Sequence, residues 1–109
     1  MMGTADEKDK MELKASGDIV YERVCEIPYW EEFGEMIKSE IADIKNIGSG
    51  FGGAATAAKF LEHFTDYPWI HLDIAGPAFI EKADGYKPVG GTGVGVRMLY
   101  HFLKFKSQK

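Results

Sequence analysis

The sequence lacks the features that mark several large classes of protein. It has a single cysteine, Cys25, so no disulfide can form within the chain, which is typical of a reducing compartment. No apolar run approaches the roughly 18 residues that a membrane-spanning helix needs. The first residues contain no apolar stretch of the kind found in a secretory signal. These absences predict a cytoplasmic protein that has no membrane partner.

A basic surface of the kind that binds nucleic acid is also missing. The 13 lysines and arginines are outnumbered by 17 aspartates and glutamates, which gives a formal net charge of −4. The basic residues are scattered, apart from Lys104, Lys106 and Lys109 near the C-terminal end. Proteins that bind a duplex or RNA present a concentrated basic face. We therefore expect nucleic acid not to be a partner.

What is present is typical of one globular domain. The chain has 109 residues, of which 45% are hydrophobic and 28% charged, and it shows no repeats or low-complexity tracts. We therefore predict a single unit over residues 1–109. A peripheral helix is predicted within residues 1–18, because Thr4 and Glu7 form a capping-box pattern and Gly17 offers a stop signal.

The rest of the chain predicts helices alternating with short strands. Helices are expected where apolar residues recur at spacings of three and four, and strands where β-branched and aromatic residues are concentrated. The predicted elements are a strand or extended connection over 19–27, a helix over 30–41, a short strand over 42–47, a helix over 53–64, a strand over 69–75 and a helix from about Val94. This order predicts the α/β class.

The glycine-rich loop between Gly48 and Gly53 admits two interpretations. Gly48, Gly50 and Gly53 match the dinucleotide-binding fingerprint, and Asp73 follows twenty residues later, where a ribose-binding acid would stand. The segment before the loop is too polar for a central parallel strand, since it contains Asp43 and two further polar residues. The second interpretation is a tight turn into a helix.

A second glycine cluster precedes the last helix and is equally open. The segment Gly90-Gly91-Thr92-Gly93-Val94-Gly95 could hold an anion through its backbone amides. An ordinary loop-to-helix junction accounts for the same residues. Gly91 and Gly93 would then serve as structural turns and Thr92 as the N-cap.

The titratable residues do not form a self-sufficient catalytic set. His71 and Asp73 alternate along the strand predicted over 69–75, but two groups are too few for a protein metal site. Asp43 could form a carboxylate pair with Asp73 in space. His63 and His101 lie in separate predicted helices, and Cys25 is expected to be a small buried side chain. No metal site and no catalytic residue is therefore predicted in this chain.

Several ordered segments resemble the C-terminal part of the catalytic domain of leucyl (cytosol) aminopeptidases. They are ADIKNIG over 42–48, the alanine-rich helix that ends in Phe60-Leu61, WIHLDIAG over 69–76 and GTGVGVR over 91–97, followed by a hydrophobic helix. The upstream helix predicted over 30–41 corresponds as well. The resemblance covers about Val20 to Phe105, in the same order as in the family.

The resemblance implies a fold and an activity. The fold would be a fragment of a three-layer α/β/α domain, with helices packed on a short mixed sheet. The activity would be that of cytoplasmic two-metal exopeptidases, which release N-terminal residues from peptides, with leucine preferred. Such enzymes form homohexamers and use two divalent ions, such as manganese or zinc, to activate a water molecule. The remainder of the catalytic domain would then be this chain's partner.

The resemblance assigns only a few residues. Ala75 and Ala78 match positions that line the pocket for the substrate's first side chain, and their small size leaves room for a leucine. The family's Asn-Thr-Asp-Ala-Glu-Gly-Arg signature is absent, so no metal ligand or catalytic residue is carried over. We expect the chain alone to be inactive.

The resemblance gives the remaining candidate residues no part in substrate binding or catalysis. The resemblance makes the glycines of both loops (Gly48, Gly50, Gly53, Gly91, Gly93) turn residues, and it leaves Asp43, Asp73 and Arg97 without assigned roles. Apolar surface that the rest of the domain would cover is expected to drive self-association. A dinucleotide-binding module and a non-catalytic scaffold or interaction domain are the alternatives.

Overall fold

The computed structural model describes residues 1–40, 42–45 and 53–108. The chain divides into two compact units. Unit 1 consists of Met1–Asp6 and Glu26–Leu72, and unit 2 consists of Glu7–Cys25 and Asp73–Lys109. The single unit over residues 1–109 stays a prediction. Among the described residues, no helix is both long enough and apolar enough to cross a membrane.

The described residues of unit 1 form two short strands and two helices. They are strand β1 (Met2–Gly3), helix α2 (Glu32–Glu35), helix α3 (Gly53–Glu62) and strand β2 (Ile70–His71). The strands pair antiparallel, with Met2 opposite His71 and Gly3 opposite Ile70. Helix α3 packs against β1.

The core of unit 1 is built from small side chains on α3 and from Met2. Met2 and Ala58 are fully buried, and Ala55 is 2% exposed. Gly3 is required in β1, because its φ is +132° and a Cβ there would lie 2.3 Å from the carbonyl oxygen of Trp69. Gly3 thus lets the backbones of β1 and Trp69 approach closely, while Ala55 and Ala58 of α3 are buried with Met2.

Unit 2 pairs two longer helices with a short hairpin. Its elements are helix α1 (Glu7–Val20), strand β3 (Phe79–Ile80), strand β4 (Gly90–Gly91) and helix α4 (Val96–Ser107). Strands β3 and β4 are antiparallel, with Phe79 opposite Gly91 and Ile80 opposite Gly90.

Helices α1 and α4 pack against each other through one face of each. Leu13 of α1 and Met98 of α4 are both 2% exposed. Ser16 Oγ and His101 Nδ1 lie 3.1 Å apart, and Lys106 pairs with Asp9 and Glu12. The opposite face of α4 carries the exposed apolar side chains Val96, Leu99, Tyr100 and Leu103.

The helix boundaries correct several predictions. Helix α1 begins at Glu7, so Thr4 lies three residues before it, and Gly17 lies inside the helix because α1 runs on to Val20. The helix predicted over 30–41 is reduced to Glu32–Glu35. Around Gly34 the hydrogen bonds join residues three apart, as from Phe33 N to Trp30 O. Such 3₁₀ bonding and a helix-weakening glycine limit the helix to one turn.

The predicted strands are shorter or missing. Of the strand or extended connection predicted over 19–27, Ile19 and Val20 belong to α1 and residues 22–27 form no strand. Residues 42–45 form no strand either, and residues 46–52 lie outside the described part of the chain. Of the strand predicted over 69–75, only Ile70–His71 is paired, because β1 offers a partner two residues long. Beyond it, the Asp73 carboxylate accepts a hydrogen bond from the Ala75 amide at 3.0 Å, and the chain turns.

Replacing the glycines inside helices α1 and α2 with alanine is expected to have opposite effects on the free energy of unfolding. Helix propensity alone favours alanine by about 1 kcal/mol. At Gly17, however, a Cβ would lie 2.6 Å from the Glu22 carbonyl oxygen and 3.2 Å from Met98 Sδ, whereas at Gly34 only Lys59 Cδ lies near, at 3.9 Å. We therefore expect Gly17→Ala to lower the free energy of unfolding by about 1–3 kcal/mol.

Gly34→Ala is the matched control, because it changes the same atoms where there is room. It is expected to leave the free energy of unfolding unchanged or to raise it by up to about 1 kcal/mol. Thermal and urea unfolding of the two variants measure the difference. A Gly17→Ala variant as stable as the wild type would contradict the close approach of Glu22 to α1.

Candidate functional site

Unit 2 contains a cleft of about 840 Å³ beside the N-terminal end of α4. It is lined by the end of α1 and the segment after it, by Pro77 and by the loop that leads into α4, whereas Ala75 and Ala78 are not among its lining residues. The lining residues that matter below are Tyr21, Glu22, Pro77, Tyr86, Thr92 and Arg97.

Glu22 organises the wall of this cleft. Its side chain is only 8% exposed. One carboxylate oxygen, Oε2, accepts hydrogen bonds from the backbone amides of Gly95 and Met98, both at 3.0 Å. The other, Oε1, accepts a hydrogen bond from Arg97 Nε at 3.1 Å. The carboxylate therefore caps α4 from a position more than seventy residues earlier in the chain.

The hydrogen bonds to Glu22 decide its charge state. Burial alone would raise the pKa of the Glu22 carboxyl, but hydrogen bonds from the Met98 amide, the Arg97 side chain and the Gly95 amide outweigh it, so that the pKa is lowered. The pKa of Arg97 is raised, chiefly by its hydrogen bond to Glu22. The second cause is the hydrogen bond that Arg97 donates to the Tyr86 hydroxyl at 3.4 Å. Glu22 is thus ionised at neutral pH.

The cap of α4 differs from the predicted one. Thr92 was expected to cap the helix, but Gly95 occupies the N-cap position with a φ of +94° and no side-chain bond of its own. The Glu22 carboxylate supplies that bond. No pattern in the sequence marks this residue, because the contact joins segments far apart in the chain. A buried acid at a helix N-terminus becomes visible only in the fold.

The two alanines predicted to line a substrate pocket lie in one turn, over residues 75–78. Ala75 is exposed and Ala78 is half-buried. The Ala78 amide donates to the Ile74 carbonyl at 3.0 Å, and Asp73 holds the start of the turn through Ala75. Pro77, between the two alanines, lines the cleft.

The predicted turn glycines fall in different settings. Gly93 has a φ of +69° and so adopts a backbone conformation that favours glycine. Gly91 lies in β4 opposite Phe79, and Gly53 is the first residue of α3. Gly48 and Gly50 lie outside the described residues.

Of the candidate titratable residues, His71 lies in unit 1, and Cys25 and Asp73 lie in unit 2. His71 and Asp73 belong to different units; the His71 ring contacts Trp69 edge to face. Cys25 is exposed, so the prediction of a buried thiol is wrong. In residues 1–40, 42–45 and 53–108, no three His, Cys, Asp or Glu side chains lie close enough together to hold a metal ion.

Unit 1 has a second cleft, of about 420 Å³, which Asp43 and Lys59 help to line. The Lys59 ammonium group is 4.1 Å from the centre of the Tyr29 ring, and it pairs with Glu31 at 3.0 Å and with Glu62 at 3.4 Å. Burial and the hydrogen bond to Glu62 raise the pKa of the Tyr29 hydroxyl. Lys59 is thus a buried cation that pairs with an exposed acid, Glu31, and a half-buried one, Glu62, which makes the cluster an ion network of unit 1.

Comparison with known proteins identifies one family. Residues 1–100 match the family model described as the cytosol aminopeptidase family, catalytic domain. A probable cytosol aminopeptidase of Geobacter sp. (strain M21) is 55% identical over 95 residues, which are 86% of this chain and 19% of that protein. One from Chlorobium phaeobacteroides is 49% identical over 106 residues, which are 94% of this chain and 21% of that protein.

Solved structures agree with the sequence comparison. The bottromycin maturation enzyme BotP superimposes with a TM-score of 0.90 at 31% identity and covers 99% of this chain, which corresponds to 24% of BotP. A second BotP structure is a complex with Mn, with a TM-score of 0.88 at 31% identity, covering 97% of this chain and 24% of that one. This chain therefore spans about a fifth of the length of the relatives it matches.

These matches confirm the resemblance and the fold class, an α/β fragment with helices packed against small sheets. The family is one of metallopeptidases. The dinucleotide-binding and scaffold alternatives are not favoured, since the matched family accounts for most of the chain. The relatives carry the name of cytosol aminopeptidases.

Proposed function

Because this chain belongs to the cytosol aminopeptidase family, as part of its catalytic domain, we propose that it serves a cytoplasmic metallo-exopeptidase that releases N-terminal amino acids from peptides. The match of residues 1–100 to the catalytic domain carries the proposal. Leucine is the preferred first residue in this proposal. The chain's own contribution is a wall of the pocket for that residue's side chain.

Ala75 and Ala78 are the residues we assign to that wall. A methyl group is the smallest side chain that still offers an apolar surface, so two alanines in one turn leave space for a leucine-sized group. The half-buried position of Ala78 and the hydrogen bonds that fix the 75–78 turn support this role. A pocket wall needs such a fixed backbone, because its shape decides which side chain fits.

The metals of the proposed enzyme lie elsewhere. We propose two divalent ions, manganese or zinc, in the complete catalytic domain; the Mn complex of BotP is a relative's example. The described part of this chain offers no cluster of three metal-binding side chains. The described residues therefore do not fit a two-metal centre, and no catalytic step is assigned to them.

The proposed partners are the remainder of the catalytic domain and further copies of the protein, a hexamer when complete. The exposed apolar face of α4, made of Val96, Leu99, Tyr100 and Leu103 (42–69% exposed), supports a partner surface there. Apolar side chains in such a contiguous stripe are usually covered in an assembly.

The pocket assignment is tested in a grafted enzyme. This is the Chlorobium phaeobacteroides relative in which this chain replaces its matching 106-residue segment. Ala78→Phe fills the space meant for a leucine side chain. We expect kcat/KM for a leucyl substrate to fall by about 10–200-fold, with a much smaller effect on a glycyl substrate.

Ala83→Phe is the matched control, because Ala83 is exposed and lies outside the 75–78 turn. It is expected to leave both substrates unaffected. Equal losses on leucyl and glycyl substrates in Ala78→Phe, or no loss at all, would contradict the pocket.

A further inference from the structure

The 75–78 turn is held from one residue on the far side of the β3–β4 hairpin. Thr92 follows β4 directly, and its amide donates to the Ala78 carbonyl at 2.9 Å, which extends the ladder by one bond. Its hydroxyl donates to the Pro77 carbonyl at 2.6 Å. Two successive carbonyl groups of the turn are therefore bound by a single residue.

The two bonds differ in what they require of the sequence. Any residue except proline can supply the amide bond. The bond to Pro77 needs a hydroxyl at this place, and the same oxygen accepts a hydrogen bond from the Val94 amide at 3.3 Å. The Thr92 hydroxyl thus joins the turn to the loop that leads into α4. Thr92 itself is half-buried.

We infer that Thr92 is a positioning residue for substrate specificity: its hydroxyl fixes the 75–78 turn and thereby sets the depth of the pocket that Ala75 and Ala78 line. This inference rests on the proposed function, because it takes the pocket as given. Thr92 contacts the backbone of the turn and acts through the two alanines. The substrate group it selects is a branched aliphatic side chain of leucine size.

The predicted consequence is a change of selectivity. Without the hydroxyl, the Ala78 end of the turn keeps its ladder bond while the Pro77 carbonyl loses its donor. The part of the turn that contains Ala75 then relaxes, and the shape of the pocket no longer fits the leucine side chain. A large side chain depends on that match more than a small one does.

The test compares Thr92→Val with Thr92→Ser in the grafted enzyme. Valine has nearly the shape of threonine without the hydroxyl, and serine keeps the hydroxyl. We expect the ratio of kcat/KM for a leucyl over a glycyl substrate to fall about fivefold in Thr92→Val, as the loss of one hydrogen bond implies. Thr92→Ser should stay within about twofold of the wild type. An unchanged ratio, or equal losses on both substrates, would overturn the inference.

The Ala78→Phe variant distinguishes a failure of this inference from a failure of the proposed function. If Ala78→Phe shifts the selectivity and Thr92→Val does not, the pocket stands and the role of Thr92 fails. If neither shifts it, the pocket itself is wrong and the inference falls with it.

A measurement on the 109-residue chain keeps the inference testable even if the grafted variants fold poorly. The Ala78 amide bonds within the turn, so its hydrogen exchange reports on the turn's opening. We expect exchange at Ala78 to be about fivefold faster in Thr92→Val and unchanged in Thr92→Ser. Equal exchange in the wild type and Thr92→Val would show that the hydroxyl does not hold the turn, and would overturn the inference.

Discussion

Replacing Glu22 with alanine is expected to lower the free energy of unfolding by about 2–4 kcal/mol. The substitution leaves the amides of Gly95 and Met98 without an acceptor, and Met98 is buried. It also removes a negative charge from the N-terminal end of α4, where the helix dipole favours one. Chemical denaturation at neutral pH measures the loss.

Glu81→Ala is the control for the change in charge, because Glu81 is exposed and lies in the same unit. It should change the free energy of unfolding by less than about 0.5 kcal/mol. Arg97→Ala should cost less than Glu22→Ala, since Arg97 is half-exposed and both backbone bonds to Glu22 remain. Equal stability of Glu22→Ala and the wild type would contradict the cap.

The same carboxylate predicts a pH dependence. The pKa of Glu22 is lower in the folded chain than in the unfolded chain, where the pKa of glutamate is about 4.3. The unfolded state therefore takes up the proton first, and the stabilisation present above about pH 4.3 is lost as the pH falls through the lowered pKa. Glu22→Gln should show a smaller loss of stability between pH 6 and pH 3 than the wild type.

The second large effect concerns self-association through α4. We expect the chain to form a dimer or larger assembly at micromolar concentration, because Val96, Leu99, Tyr100 and Leu103 form an exposed apolar stripe along the helix. The double variant Leu99→Gln/Leu103→Gln should weaken association by about 3 kcal/mol, which is at least a hundredfold in Kd. Multi-angle light scattering over a concentration series measures it.

Met11→Gln is the matched control for the stripe. Met11 is 64% exposed on α1 and lies outside the stripe. It should leave the association unchanged. A wild-type chain that stays monomeric at micromolar concentration would contradict the prediction, and so would a double variant that associates as tightly as the wild type.

The sequence predicts helices α3 and α4 well, because their signals are local. Helix α3 was predicted over 53–64 and runs over Gly53–Glu62; α4 was predicted from about Val94 and begins at Val96. In each, apolar or small residues recur at helical spacing. Within α3, Ala55 and Ala58 are buried with Met2 in the core of unit 1.

The short strands and the caps could not be predicted in the same way. A strand forms only where a partner pairs with it, and the partner of Ile70–His71 is Met2–Gly3, almost seventy residues earlier. The Glu22 cap likewise depends on a contact across more than seventy residues. At Gly34 the helical periodicity was present, but the glycine and the 3₁₀ bonding shortened the helix.

In the candidate site, too, some residues could be predicted from the sequence and others could not. The resemblance selected Ala75 and Ala78 from sequence, and the structure places them at the two ends of one turn. It gave no sign of Glu22, and it assigned no role to Asp73 or Arg97. Asp73 starts the turn through the Ala75 amide, and Arg97 pairs with Glu22. These roles follow from hydrogen bonds that the fold creates.

Leucine release by the grafted enzyme and by this chain alone, each supplied with manganese or zinc, tests the central claim most directly. If this chain is part of an aminopeptidase catalytic domain whose metal ligands lie elsewhere, the graft should release leucine from a leucyl substrate and the chain alone should not exceed the blank. A folded, metal-loaded graft without activity would contradict the claim, as would leucine release by the purified 109-residue chain.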